Sequence, residues 1–562
     1  MDNNTHFQSA TEKQIKDTRN IDGQDLKTLI AAALAWLKAN QQYVNSLNVF
    51  PVPDGDTGTN MVLTLQAALN EIAGTQETNI GKIAHQIAQG ALMGARGNSG
   101  VILSQLLRGF ARTLDNYETM NAQMLVESLN EARTTAYKGV VRPVEGTILT
   151  VAKDISIEAS QAVLETDDML IILEKITQAG EESVKRTPDL LPILKQANVV
   201  DAGGKGLVFI LEGMLRFLKG MPLDMPQTVV QPLSVLAQTE EVMETIEPGQ
   251  DYEVVIDFKP MDTFDLDRFY NRLTEIGTSI QMGEGDGMYR MHIHVPTEKR
   301  YEPIDYVMSL GTITRVQIEN LIEQMNSSGK KLTPPEINLA PVEEGQIAVV
   351  AVSPGLGLSR IFASLGAAAI VEGGQTMNPS TEEILKSFKD LPTDKVIILP
   401  NNKNIIMTAQ TAASASDKQV AVIPSRSIPQ GLSAILHLIP DGNFDQVVKN
   451  MNNALKDVST GEITYATRDA VINGVQVKEG SFIAMLDGKL VEATDTLEKA
   501  CLGMLSQANI EDKERITLFY GNNINGNDVD QITNLIKSQY PEHEIELHEG
   551  GQPYYHFIIA LE

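Results

Sequence analysis

Residues 48–61 read Asn-Val-Phe-Pro-Val-Pro-Asp-Gly-Asp-Thr-Gly-Thr-Asn-Met. Two acids, Asp54 and Asp56, follow two prolines here, and apolar residues at helical spacing resume directly after the stretch. Mg²⁺ is typically held by one or two carboxylates together with substrate phosphates. A helix N-terminus adds free N–H groups and a positive dipole end that attract an anion. The stretch therefore indicates a Mg–nucleotide site at the mouth of a helix.

The simpler alternative is a turn that only caps a helix, since Asp, Gly and Thr are common in such turns. A second loop of small residues favours the phosphate-binding interpretation. Residues 94–100 read Gly-Ala-Arg-Gly-Asn-Ser-Gly and again separate one predicted helix from the next. Asn98, Ser99 and Gly100 stand where a phosphate contacts a helix end. Two such loops in one helical region indicate a phosphate site rather than two unrelated caps.

Composition sets the broad class of the protein. The chain has 562 residues, of which 42% are hydrophobic and 21% charged, as expected for several globular domains. Its formal net charge of −28 disfavours nucleic acid and anionic lipid as direct partners. The single cysteine excludes an intrachain disulfide framework, and no apolar run is long enough for membrane insertion. The polar N-terminus does not resemble a signal peptide, so we expect a cytoplasmic location.

Composition and periodicity divide the chain into six segments. We expect a disordered tail over 1–21, a helical domain over 22–220, a linker over 221–250, a small α+β domain over 251–326, a linker over 327–344 and an α/β domain over 345–562, with a second lobe from about 465. The helical domain shows eight apolar stripes with short connections, which favours an antiparallel bundle or barrel. Up-and-down topology would bring its informative loops to the same end.

The middle segment has the order βαββαβ, which predicts a ferredoxin-like fold that ends in a helix near 318–325. His292 and His294 are two apart on a predicted strand, so their side chains share a face. They form either part of a zinc site or a pair of exposed strand histidines. The last segment alternates strands and helices, as in a doubly wound parallel sheet.

Several motifs carry a resemblance to known families. The runs at 53–61, 94–100, 142–147 and 201–204 resemble the DhaL-type nucleotide-binding domain of dihydroxyacetone kinases. The chain resembles the kinase subunit of bacterial fatty acid kinase still more closely, and that match extends through 373–381 and 400–407. The resemblance covers nearly all of the chain after about residue 22, and it implies an eight-helix barrel with the nucleotide at one end.

The resemblance also implies ATP and Mg²⁺ as cofactors. Asp54 and Asp56 would hold Mg²⁺, and Arg96 would neutralise the transferring group. Asn48 stands where dihydroxyacetone kinases carry another acid, so it would make a weaker metal contact. The other candidates for nucleotide binding are Thr57, Gly58, Thr59, Asn60, Gly97, Asn98, Ser99, Gly100, Thr147, Asp201 and Gly203.

A zinc site in the middle domain is implied by the same resemblance. The fatty acid kinase family places a cysteine on the first strand of this domain, where it completes a structural zinc site with two histidines. Glu253 occupies the matching position here. The zinc ligands would then be Glu253, His292 and His294, with an open fourth position.

The function implied by the resemblance is ATP-dependent phosphorylation of a fatty acid carboxylate, giving an acyl phosphate for phospholipid synthesis. The first domain shows no evident apolar acyl tunnel, so a separate fatty-acid-binding protein would present the substrate and dock on the third region. We therefore expect residues 1–220 alone to bind Mg–ATP with near-native affinity but to phosphorylate the carrier-bound fatty acid very poorly. We also expect a homodimer. Two alternatives remain open: a dihydroxyacetone (glycerone) type small-molecule kinase, and a non-catalytic ATP-sensing regulatory protein.

Overall fold

The computed structural model describes residues 18–48, 55–223, 230–232, 250–261, 264–285, 287–321, 337–375, 377–466, 469–472 and 474–562. Asp54, residues 1–17 and most of both predicted linkers lie outside these ranges. The described residues form a helical N-terminal domain, a small α+β domain and a C-terminal α/β domain. The predicted fold class is therefore confirmed.

Ten helices make up the N-terminal domain within residues 18–223. Their bounds are α1 Gly23–Ala39, α2 Gln41–Leu47, α3 Thr57–Glu71, α4 Ile80–Met93, α5 Gly97–Thr113, α6 Ala122–Gly139, α7 Ile148–Ala162, α8 Met169–Leu190, α9 Pro192–Gln196 and α10 Ala202–Leu218. The eight long helices match the eight predicted stripes, whereas the short α2 and α9 were not predicted.

The eight long helices form a closed ring with up-and-down topology. Each packs against its neighbours in the sequence, and α10 packs against α1, which closes the barrel. Apolar residues from all eight fill a common core. As a consequence, the connections after α1, α4, α6 and α8 all lie at one end, which is called the loop end below.

The predicted tail over 1–21 extends too far into the chain. Ile21 is buried and forms an antiparallel bridge with Met120, with N–H to carbonyl distances of 3.0 and 2.9 Å. Thr18 donates its hydroxyl to Asp168 at 2.9 Å. Residues 18–21 therefore belong to the barrel, because Ile21 is the apolar residue that closes its far end.

The middle domain is built on one sheet with two helices. Its elements are β1 Val230–Pro232, β2 Tyr252–Pro260, α11 Leu266–Ile276, β3 Thr278–Gly285, β4 Met288–Val295, α12 Glu302–Met308 and β5 Gly311–Asn320. The strand order β1-β3-β4-β2-β5 contains the ferredoxin-like arrangement and confirms that prediction.

Two details of the middle domain differ from the sequence prediction. The strand β1 lies inside the predicted linker 221–250 and pairs in parallel with β3 at the sheet edge, where a proline is tolerated. The predicted helix near 318–325 is wrong over 318–320, because β5 continues its ladder with β2 as far as Asn320. Neither pairing was predicted, because β1 contains Pro232 and the end of β5 is polar.

The C-terminal domain contains two large sheets with flanking helices. The first part comprises β6 Ile347–Ser353, α13 Leu356–Ser364, β7 Ala369–Glu372, α14 Thr381–Lys389, β8 Lys395–Leu399, α15 Ile406–Ser414, β9 Gln419–Val422, α16 Ile428–Ile435 and α17 Phe444–Ala454. Its four parallel strands have the order β7-β6-β8-β9, as predicted for a doubly wound sheet.

The second part of this domain starts at Ser459, close to the predicted lobe boundary near 465. It comprises β10 Ser459–Tyr465, β11 Ala470–Ile472, β12 Val475–Val477, β13 Phe482–Leu486, β14 Lys489–Thr494, α18 Leu497–Gln507, β15 Arg515–Tyr520, α19 Gly526–Gln539, β16 Glu544–Glu549 and β17 Phe557–Leu561. Six of these strands form a mixed sheet in the order β14-β13-β10-β17-β15-β16. Among the helices described in the whole chain, none has the length and apolarity needed to cross a bilayer.

Candidate functional site

The loop end of the barrel brings together the N-termini of four long helices. Helices α3, α5, α7 and α10 all begin there, because alternate helices of an up-and-down ring point the same way. Each N-terminus has N–H groups without a partner inside the helix and carries a partial positive charge. These four N-termini, called the cradle below, lie at the end of the barrel where the sequence predicts phosphate binding.

Asp56 lies at the centre of this end and is only 4% exposed. It occupies the N-cap position of α3, yet its side chain makes no capping hydrogen bond within the described part of the chain. Its carboxylate instead accepts from the side-chain amide of Asn48 at 3.4 Å and from that of Asn378 in the C-terminal domain. The helix-cap alternative therefore does not explain Asp56. A buried carboxylate held by amide side chains in this way is suited to a cation.

The start of α3 shows that one predicted phosphate ligand is engaged elsewhere. The hydroxyl of Thr59 accepts from the side-chain amides of Gln41 and Asn45, both at 3.0 Å. The backbone N–H of Thr59 donates to Asn45 Oδ1 at 3.1 Å. Gly58 lets α2 approach this closely, because a Cβ there would collide with the carbonyl of Gln41. Thr59 thus fastens α2 to α3, a role that the sequence did not predict, while Thr57 is buried in the same first turn.

The second loop is shaped around Gly97. This residue has φ of +56°, which disfavours any side chain, and a Cβ there would lie 2.7 Å from Asn60 Nδ2. Asn60 is 4% exposed, and Gly100 makes a similarly close approach to Thr64 one turn further along α5. The structure therefore places Asn60 beside the α5 N-terminus, as expected for a shared phosphate site.

The side chains of the second loop face the C-terminal domain. Asn98 Nδ2 donates to Asn404 Oδ1 at 3.4 Å, and Ser99 follows it in the first turn of α5. The guanidinium of Arg96 donates to the carbonyl of Asn378 and to Glu383, both at 2.9 Å. The prediction that Arg96 neutralises a transferring phosphoryl group stays untested, but in this arrangement Arg96 is part of a contact between domains.

The remaining candidates cap the other two helices of the cradle. Thr147 caps α7 by accepting from the N–H of Leu149 at 3.4 Å. Asp201 caps α10 by accepting from the N–H of Gly204 at 2.6 Å. Burial raises the pKa of Asp201 to about 6, although hydrogen bonds from Gly204 and Ile148 act in the opposite direction. Gly203 lies between these caps, where a Cβ would stand 3.3 Å from the side chain of Ile148.

An apolar cavity of about 150 Å³ lies inside the barrel, contrary to the expectation that the first domain has no apolar tunnel. Apolar side chains line it from the far end, at Ile21 and Met120, towards the middle, at Leu103 and Leu207. Thr18, at the far end, is its single polar lining residue within the described chain. The cavity thus has no group that would hold a carboxylate near the loop end. Its existence depends on packing, which apolar spacing alone does not reveal.

A second cluster lies in the middle domain, where Glu253 on β2 is directly opposite His294 on β4. The ligand atoms of Glu253, His292 and His294 lie within 4.8 Å of one another, and His292 Nδ1 is 3.1 Å from the Glu253 carboxylate. Both histidines are 3% exposed, so the alternative of two exposed strand histidines is wrong.

The state of His292 fits a metal ligand. Neither of its ring nitrogens makes a hydrogen bond of suitable geometry to any described residue, although Nδ1 lies 3.1 Å from the Glu253 carboxylate. Burial, with a smaller contribution from His294, lowers the pKa of His292 to about 3. The ring is therefore neutral at physiological pH, which is the form that binds a metal.

Sequence reasoning missed the contribution of the C-terminal domain to the loop end. Asn378 and Ser380 lie in the connection between β7 and α14, and Asn404 precedes α15. Both segments fall within the runs 373–381 and 400–407 that carried the family resemblance, so a signal was present. No local spacing, however, relates them to a loop some three hundred residues earlier.

Comparison with known families covers most of the chain. Residues 51–216 match the DAK2 domain, residues 247–328 match the FakA-like middle domain of fatty acid kinase proteins, and residues 348–562 match the FakA-like C-terminal domain of the same group. These three matches coincide with the three structural domains.

Relatives extend over the full length. Protein YloV of Bacillus subtilis is 38% identical over 97% of this chain and 100% of its own length. An uncharacterized protein of Staphylococcus epidermidis is 38% identical over 96% of this chain and 99% of its own length. Among solved structures, the Fatty Acid Kinase B3 protein of Streptococcus pneumoniae, loaded with linoleic acid, is similar over 33% of this chain and 76% of its own length, at 13% identity and a TM-score of 0.26. On the full-length matches and the domain matches, the chain belongs to the FakA-like family of fatty acid kinase proteins.

Proposed function

We propose that this protein transfers the γ-phosphoryl group of Mg–ATP to the carboxylate of a fatty acid held by a separate fatty-acid-binding protein. The product would be an acyl phosphate, a precursor for phospholipid synthesis. The observation that carries the proposal is the buried Asp56 carboxylate among four helix N-termini at one end of a kinase-related barrel. The family to which the chain belongs supports the choice of a fatty acid as substrate.

The residues at the loop end fit a nucleotide with its metal. Asp56, with Asp54 from outside the described ranges, would hold Mg²⁺, and Asn48 supports Asp56 from the side. Bound Mg²⁺ would neutralise charge on the β- and γ-phosphates. The N–H groups in the first turn of α5, next to Asn98 and Ser99, would bind phosphate oxygens.

The proposed reaction needs no general base from the chain. A fatty acid carboxylate is already ionised at neutral pH, since carboxyl groups have an ordinary pKa near 4. One of its oxygens attacks the γ-phosphorus, a new P–O bond forms, and the bond to the β-phosphate oxygen breaks, which releases ADP. Catalysis then consists of positioning and charge neutralisation, which is what helix N-termini and carboxylate-bound metal supply.

The barrel cavity does not replace the separate acyl carrier. Among the described residues, the one polar side chain that lines the cavity is Thr18. Thr18 lies at the end of the barrel opposite the cradle, so an acyl chain in the cavity would place its carboxylate there. Its carboxylate would then point away from ATP. The C-terminal domain, which contacts the cradle through Asn378, is the proposed docking element for the carrier that presents the fatty acid from outside.

We further propose that Glu253, His292 and His294 hold Zn²⁺ in the middle domain. Three protein ligands with the fourth position left to water are an accepted zinc arrangement. The cluster lies on β2 and β4 rather than at the barrel loops, so its zinc would take no part in phosphoryl transfer.

One assay separates the proposed function from its alternatives. The purified protein is mixed with Mg–ATP and each of three acceptors: oleate on a fatty-acid-binding protein, free oleate, and dihydroxyacetone. We expect ADP formation that depends on the carrier-bound oleate. ADP formation with dihydroxyacetone would indicate a small-molecule kinase, and ATP binding without turnover on any acceptor would indicate an ATP-sensing protein.

A further inference from the structure

The connection between β7 and α14 of the C-terminal domain is paired with the second phosphate loop through the backbone. Arg96 and Ser380 form an antiparallel bridge, and the N–H of Thr381 donates to the carbonyl of Ala95 at 3.1 Å. Ser380 is 5% exposed and Thr381 is fully buried. The two domains therefore meet here through hydrogen bonds between buried stretches of backbone.

Charged side chains fix the same contact. The guanidinium of Arg96 binds the carbonyl of Asn378 and the carboxylate of Glu383, both at 2.9 Å. Glu383 is itself oriented by the N–H of Ser380, at 2.7 Å, at the start of α14. Although burial raises the pKa of Glu383, the N–H of Ser380 and the Arg96 guanidinium hold it below its ordinary value. The acid therefore stays ionised and keeps its bond to Arg96.

Asn378 is the residue that this contact delivers to the cradle. It is 2% exposed, and its Nδ2 donates to Asp56 Oδ2, 322 positions away in the sequence. A carboxylate only accepts hydrogen bonds, so the N–H end of the amide must face it. Asn378 Oδ1 is buried and makes no hydrogen bond to any described residue. Gly97 leaves room for this side chain, because a Cβ there would stand 3.2 Å from Asn378 Nδ2.

We infer that the kinase site is shared between two domains and that Asn378 is its positioning residue. This inference rests on the proposed function. Carboxylates that bind a metal are themselves oriented by hydrogen-bond donors, and loss of such a donor typically costs 10–100-fold in metal affinity. Asn378 has that relation to Asp56, and it comes from the C-terminal domain rather than from the barrel.

The shared site changes one expectation drawn from the sequence. Residues 1–220 alone would lack Asn378, Ser380 and Glu383, so the isolated barrel should bind Mg–ATP more weakly than the full chain. The C-terminal domain would also have two roles, since the domain proposed to dock the acyl carrier also donates a hydrogen bond to the carboxylate proposed for the metal.

The test measures binding rather than turnover, on the full chain. AMP-PNP is titrated calorimetrically at a series of free Mg²⁺ concentrations, for wild type, Asn378→Ala and the control Asn453→Ala. Asn453 is an exposed asparagine on α17 of the same domain. We expect Asn378→Ala to need at least about tenfold more Mg²⁺ for half-maximal binding, with unchanged stoichiometry, and the control to match wild type. An unchanged Mg²⁺ requirement, or a loss of stoichiometry alone, would overturn the inference.

A second pair of variants keeps the test valid if Asn378→Ala misfolds. Glu383→Ala removes the partner of Arg96, and Glu382→Ala removes the adjacent acid, which pairs with Lys386 at 2.6 Å instead. Because Glu383 is half exposed, we expect a modest increase of about three- to fivefold in the Mg²⁺ requirement for Glu383→Ala and none for Glu382→Ala. Equal behaviour of the two would contradict the shared site. Failure of the wild type to bind Mg–AMP-PNP would refute the proposed function itself, and the shared site with it.

Discussion

The Asp201 carboxyl group makes a prediction whose size follows from the structure. Its pKa is raised from 3.8 to about 6, chiefly by burial at the start of α10. At about 1.36 kcal/mol per pKa unit, this difference corresponds to about 3 kcal/mol of unfolding free energy. Because the pKa in the fold is above that in the unfolded chain, this stability is present below pH about 4 and is lost as the pH rises through about 6.

The substitution Asp201→Asn removes the charge and keeps a good helix cap. The variant should therefore gain up to about 3 kcal/mol over wild type between pH about 4 and pH about 7, and the gain should stay constant above that. Asp201→Ala separates the two effects, since it also loses the helix cap, in which the Asp201 side chain accepts from the N–H of Gly204, and this loss costs about 1 kcal/mol at every pH.

Trp36 makes the measurement specific to the barrel. It is the only tryptophan in the sequence, it is 4% exposed in α1, and the Arg216 guanidinium stacks 3.9 Å from its ring centre. Urea unfolding is followed by the fluorescence of Trp36 at pH about 4 and at pH about 7. The urea midpoint of Asp201→Asn minus that of wild type should be about 1 M larger at the higher pH. A difference between the two proteins that does not change with pH would refute the assigned burial of the Asp201 charge.

Three further predictions follow from other sites. Asp54→Ala or Asp56→Ala should lower phosphoryl transfer by more than about 100-fold, as judged by ADP release, because even indirect support of a metal ligand is worth 10–100-fold; near-normal turnover in either would contradict the metal assignment. Elemental analysis should find at most one zinc per chain, lost in the double variant His292→Ala, His294→Ala; zinc that persists there would place its ligands elsewhere. The thiol of Cys501 is buried, and burial raises its pKa, so it should react with a thiol reagent only after unfolding. Rapid reaction in the folded protein would contradict the burial of this side chain.

Much of the fold was predictable because it is encoded in local periodicity. The eight apolar stripes of the barrel predict their helices directly. Features that depend on distant packing were not predictable. The strand β1 lies in a proline-rich stretch and is recognised only through its pairing with β3. The barrel cavity is likewise a property of packed side chains, and spacing says nothing about how well they fill the centre.

The candidate site divides in the same way. The short connections between the helical stripes predicted that Asp56, Asn60 and the start of α5 lie at one end of the barrel, because helix direction alternates in an up-and-down ring. The sequence could not show that Thr59 is engaged by α2, since that depends on side-chain direction. It also could not show that Asn378 reaches Asp56, because a contact between residues 322 positions apart leaves no pattern in the local sequence.

Transfer of the γ-phosphoryl group to a fatty acid can be followed directly with radioactive ATP. The protein is incubated with [γ-³²P]ATP, Mg²⁺ and a fatty-acid-binding protein loaded with oleate. We expect label to enter a lipid-soluble product that hydroxylamine cleaves, as it cleaves an acyl phosphate, and we expect the Asp56→Ala variant to form none. Label found only in inorganic phosphate, or in a product that forms equally well without the fatty acid, would contradict phosphorylation of a fatty acid carboxylate.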